Sequence, residues 1–134
     1  MKAIFKNQVK AKAVGININS EKSDSLKKIL EEFNVDYVSY DSSCGSQQIG
    51  YLCGFNGFSA SDQSVEIDKE ALLFSGMRSN ILNGILDKMR KENIIVKLKA
   101  VVTEFNQKWT VSELLAELEK EHNIMNGGRK NGKE

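Results

Sequence analysis

Four residues close together in the second half of the chain, Lys99, Thr103, Asn106 and Trp109, are the side chains best placed to do chemistry. They span the stretch from Lys99 through Val101, Val102, Thr103, Glu104, Phe105, Asn106, Gln107 and Lys108 to Trp109, where an apolar run breaks into polar residues before a capped helix. A strand-to-helix loop presents backbone N–H groups at the positive end of a helix, so Lys99, Thr103 and Asn106 could converge there on an anionic or amide-bearing ligand, with Trp109 beside it. The same residues also have sufficient local duties. Thr103 can end the strand, Asn106 can hold a turn through its side chain, and Trp109 can pack on the helix it precedes.

Cys44 is the second candidate. It sits in Asp41-Ser42-Ser43-Cys44-Gly45-Ser46, a segment read as flexible, ahead of a short helix whose N-terminus would favour a thiolate. A nucleophile needs a base, and the only histidine, His122, lies on the stripe of Leu118 in a distant helix and reads as an edge-of-core residue. Cys53 shares a helical face with Ile49 and Leu52 and reads as packing. There is no Walker loop, no G-x-G-x-x-G after a strand, no H-E-x-x-H and no Cys/His cluster with zinc spacing, so no cofactor or metal is expected. On these grounds the chain reads as leaning away from an enzyme, with Cys44 or Lys99 as the residues a small enzyme would use.

The elements that must position these residues follow from periodicity. Val14, Ile16 and Ile18 alternate with Gly15, Asn17 and Asn19, the pattern of a strand with one buried face. Leu26, Ile29, Leu30 and Phe33 then recur at helical spacing, with Ser20 or Ser23 as N-cap and Asn34 as a left-handed stop, and Val35 to Tyr40 predicts a second strand. Ala71 to Ser75, the stripe Leu82, Ile85, Leu86 and Met89, and Ile95 to Val102 repeat strand, helix and strand, offset by about 56 positions. Each half also predicts a trailing helix, short around Gln47 to Cys53 and longer after Trp109. Thr110 and Glu113 there form a capping box, and Trp109 with Leu114 a hydrophobic staple that would bury the indole.

A chain of 134 residues with 40% hydrophobic content is long enough for one core, so a single domain is expected over 1–125. Its half repeats cover about 12–54 and 70–122, a Gly- and Ser-rich loop at 55–69 is long enough to be mobile, and the tail at 126–134 should be disordered. Because the strands alternate apolar with polar residues, helices should cover one face only. That predicts an α+β, ferredoxin-like two-layer sandwich, with a small parallel α/β sheet as the alternative. The open face would carry Asn17, Asn19, Ser75, Lys97 and Lys99, and Asn17 and Lys97 are the residues expected at an interface with a second copy or another partner.

The segment Leu72 to His122, with its Lys99, Thr103, Asn106 and Trp109 pattern, resembles the bacterial domain of unknown function 3783. That family has no assigned activity, so the resemblance implies a recurring pattern and no role. A proline often follows the threonine in that pattern, and Glu104 stands there in this chain. The balance of 19 basic against 18 acidic residues, a formal charge of +1, provides no global field for nucleic acid or an anionic membrane. A basic arm of Lys2, Lys6, Lys10 and Lys12 beside Lys97 and Lys99 could give weak nucleic-acid binding, but the polar sheet face lacks stacking aromatics. No run reads as a signal peptide or a membrane span. The cysteine usage suits reduced thiols in a cytoplasm. The expectation is a small bacterial interaction or regulatory module that binds itself, a protein or a small ligand.

Overall fold

In the computed structural model, which describes residues 10–121, the first alternating segment forms strand β1 over Lys12–Ile16. Asn17 ends it in a left-handed conformation (φ 56°), a setting asparagine tolerates better than most residues. Helix α1 (Ser20–Glu32) is capped by Asn19, whose side chain accepts from Lys22 N at 2.8 Å, rather than by the expected Ser20 or Ser23. Asn34 does stop the helix in a left-handed conformation (φ 63°), and β2 follows over Asp36–Tyr40. After the short α2 (Ile49–Leu52) come β3 (Ala71–Ser75), α3 (Ser79–Lys91), β4 (Leu98–Val101) and a helix, α4, over 111–121.

The offset between the halves differs from the one the apolar stripes suggest. Ser20 and Ser79 open α1 and α3, and the left-handed Asn34 and Asn93 close them, each pair 59 positions apart. A slip of three residues returns to nearly the same helical face, so a stripe of leucines and isoleucines does not discriminate the two offsets. The left-handed asparagines do, because only one backbone position per unit needs φ above zero there.

The sheet order is β2-β1-β3-β4. β1 pairs parallel with β2, β3 parallel with β4, and the two units meet through antiparallel β1 and β3, with Val14 opposite Leu73. Each unit's own strands are therefore direct neighbours, whereas a split β-α-β arrangement would place another strand between them. The chain is α+β in the coarse sense, with a mixed sheet that is neither the expected ferredoxin-like order nor an all-parallel one.

Helices cover both faces, which corrects the two-layer expectation. On one face Ala13, Leu72 and Phe74 pack with Leu26, Ile29 and Leu30 of α1 and with Ile85 and Met89 of α3. On the other, Val14, Ile16, Leu73 and Leu98 pack with Ile49 and Leu52 of α2 and with Val111, Leu114 and Leu115 of α4. Ile16 and Leu98, expected beneath α1 and α3, thus lie on the opposite side. The reason is composition within the true strand limits: β3 is buried at every position and β1 at every position but its first. Leaving the four apolar side chains of the second face open would forfeit about 1.5–3 kcal/mol each. Their sum is on the order of a whole domain's stability.

The polar residues that suggested an open face lie elsewhere. Asn17 and Asn19 follow β1, Lys97 precedes β4, Ser75 is 3% exposed, and Lys99 shares the α3 side with its partner Leu72. The linker is also tied down rather than free. Gly45 N donates to Val65 O at 2.8 Å, Ile67 N to Ser42 O at 2.9 Å, and Gln47 makes two hydrogen bonds with the Ser61 backbone. His122, Lys2, Lys6 and the tail expected to be disordered lie outside the described residues.

Candidate functional site

Val101 ends β4, and the chain then turns within itself before α4. The Asn106 side chain closes the turn: its Oδ1 accepts from Thr103 N at 2.8 Å and its Nδ2 donates to Val101 O at 3.0 Å. Thr103 Oγ1 in turn accepts from the backbone N–H groups of Phe105 and Asn106 at 3.2 and 3.1 Å. Thr103 and Asn106 are therefore brought together as expected, but each spends its polar atoms on this turn, which is the local duty the sequence also allowed.

Lys99 does not join them. Its Nζ donates to Val96 O at 2.6 Å, on the α3 side of the sheet, and desolvation by partial burial pushes its pKa below the usual lysine value. Trp109 also stands apart. The residue is 36% exposed and lines a shallow depression with Glu113 and Glu117, so the indole is not buried as expected. The Trp109 backbone is what ties this region, since its carbonyl accepts from Ile49 N at 2.9 Å. The capping box does form: Thr110 N donates to Glu113 Oε1 at 2.9 Å, and Glu113 N to Thr110 Oγ1 at 3.2 Å.

Cys44 is not in a flexible, electropositive segment. It forms a parallel bridge with Val65 and is 5% exposed, and desolvation, with lesser contributions from Asp41 and Glu66, pushes its thiol up to about 11. A thiol so protonated near neutrality is a poor nucleophile. Cys53 is likewise buried, with its thiol raised by desolvation despite a hydrogen bond to Ser75 and the nearby charge of Lys12. Both cysteines are free.

The expected basic patch is divided. Lys10 pairs with Asp36 at 3.3 Å and Lys12 donates to Cys53 O at 3.0 Å, while β3 separates β1 from β4, which holds Lys99 and follows Lys97. What sequence reasoning missed is apolar. Val101, at the open edge of the sheet, is 49% exposed, and Phe105, at the tip of the following turn, is 81% exposed. A signal for Phe105 was present, since it is an aromatic residue set between Glu104 and Asn106 in an otherwise polar loop.

A family model described as Domain of unknown function (DUF3783) matches residues 70–125, in agreement with the resemblance of the C-terminal half. The match spans β3, α3, β4 and the Thr103–Asn106 turn. No curated protein and no solved structure matches the chain.

Proposed function

We propose that this chain is a non-enzymatic interaction module whose contact surface is the open edge of β4 together with the turn that follows it. The carrying observation is the pair of exposed apolar side chains, Val101 and Phe105, at the edge of a sheet whose two faces are already covered by its own helices. The outer edge of β4 has no strand partner, although Val101 O already accepts from Asn106 Nδ2, and Val101 and Phe105 supply the apolar anchors that a strand added beside β4 would use. The turn beneath Phe105 is stiffened by the Asn106 and Thr103 hydrogen bonds, so little ordering entropy is lost when a partner binds.

The partner that needs the fewest assumptions is a second copy, because symmetric self-pairing uses one surface twice. Lys97, beside the start of β4, is the expected interface residue that this reading uses; Asn17, at the end of β1, lies away from the β4 edge. The free, buried cysteines suit a reducing bacterial cytoplasm. Nucleic-acid binding is the lesser reading, since Lys10 and Lys12 already have partners within the fold.

Sedimentation equilibrium of the wild type and of a Val101→Lys, Phe105→Glu double variant tests the proposal. The wild type should self-associate, while the variant should stay monomeric with an unchanged melting temperature. A wild type that remains monomeric up to about 1 mM, a binding free energy no better than about −4 kcal/mol, removes the second copy as partner.

A further inference from the structure

On the α3 side of the sheet, separate from Val101 and Phe105, a cavity of about 230 Å³ opens between the end of α3 and the segment leading into β4. Its lining is mostly apolar, from Leu86, Met89, Ile94, Ile95 and Val96, and it carries two cations, Arg90 and Lys99. Arg90 pairs with Asp87, 2.6 Å away, with both side chains largely exposed. Lys99 has no carboxylate partner among the described residues; its one hydrogen bond, to Val96 O, leaves two of the three ammonium donors free. The segment that frames the cavity is held from outside, because Lys22 Nζ donates to Ile95 O at 2.7 Å and pairs with Glu70 at 2.6 Å.

We infer that this groove binds a small amphiphilic carboxylate, in chemical class a free medium-chain fatty acid, with the alkyl chain along Leu86, Ile94 and Ile95 and the carboxylate on Lys99 Nζ. The volume sets the size, since pockets for drug-sized ligands run from about 300 to 1,000 Å³. The lining sets the chain, because apolar side chains gain only by displacing water with apolar surface. The free ammonium donors set the head group. A single lysine without a carboxylate partner matches a monoanion through one charge-assisted bond. The partial desolvation of Lys99 works in the same direction, since an anion placed against the ammonium restores the favourable surroundings that burial removed. Lys99 keeps its structural bond to Val96 throughout.

The test is a titration of backbone amide NMR resonances with octanoate below its micelle concentration, with octanol and acetate in parallel. Octanoate should give saturable shifts confined to the segment from Leu86 to Lys99, and octanol and acetate should bind at least about tenfold more weakly, the fold-change expected for losing one charge-assisted bond or the chain. Lys99→Met should fall to the octanol level and Lys99→Arg should recover most of the affinity. Ile95→Asp, at a side chain 61% exposed and so safe for folding, should weaken octanoate by a similar factor without depending on the Val96 bond. The inference is overturned if octanoate produces no saturable shifts, if octanol binds as tightly, or if Lys99→Met binds like the wild type. Because neither Val101 nor Phe105 enters this experiment, its failure leaves the β4-edge reading untouched.

Discussion

Gly15 provides the sharpest test of how the sheet is packed. It lies mid-strand in β1, and a Cβ built there would collide with the ring of Tyr37 on β2, coming within 2.9 Å of Cζ and closer still to the hydroxyl. Tyr37 is fixed by a 2.7 Å hydrogen bond to Ser23 in the first turn of α1, so it cannot yield without opening the seam between helix and strand. Gly15→Ala should therefore cost about 1–3 kcal/mol for overpacking and about 0.5–1.5 for the displaced hydrogen bond, offset by about 0.5–1 from the lower backbone entropy of alanine. The net is about 2 kcal/mol, or a melting temperature lower by about 8 °C for a chain of this size. Urea denaturation of Gly15→Ala, Tyr37→Ala and the double variant measures it. With the ring gone the alanine should fit, so the double variant should be more stable than additivity predicts by about 1–2 kcal/mol. Additive losses, or a Gly15→Ala variant as stable as the wild type, would refute the close approach of strand and ring.

Two further outcomes follow from the same structure. Thr110→Ala should lose about 1 kcal/mol in urea denaturation, and combining it with Glu113→Ala should cost less than the two singly, because the capping box is one reciprocal unit. The Cys44 thiol should make the fold alkali-sensitive. It ionises near its ordinary 9.0 in the unfolded chain but only at about 11 in the folded one, so the stability it contributes is complete below pH 9 and lost as pH rises to about 11. That component is up to about 2–3 kcal/mol, and Tyr37, Tyr40 and Cys53, whose pKa values are also raised, act in the same direction. Stability measured by urea titration at about pH 8 and about pH 11 should fall less for Cys44→Ala than for the wild type. An equal fall would remove Cys44 as a contributor.

The local chemistry was legible because its causes are local. Thr110 and Glu113 sit three residues apart and can satisfy each other whatever surrounds them; Asn34 closes α1 because a left-handed stop needs only its own backbone. Ile49, Leu52 and Cys53 share one face by helical spacing and share one core. The link between Thr103 and Asn106 belongs to the same class, as a turn closed by neighbours.

What only the tertiary structure decided is where polar and apolar residues stand once strand limits and partners are set. Ser75 reads as an outward polar residue but is buried beside Cys53, and Lys99 reads as a companion of Thr103 but turns to the α3 side and Val96. Period two says which neighbours oppose each other across a strand, yet not which helices arrive on each face. That depends on the antiparallel pairing of β1 with β3 and on the course of the connection from β2 to β3, which contains α2, both set by contacts between residues far apart in the chain. The capping box, the left-handed stop at Asn34 and the turn chemistry were therefore determined by the sequence itself, whereas the second helical layer and the open edge at Val101 and Phe105 arise from pairings that exist only after the chain has folded.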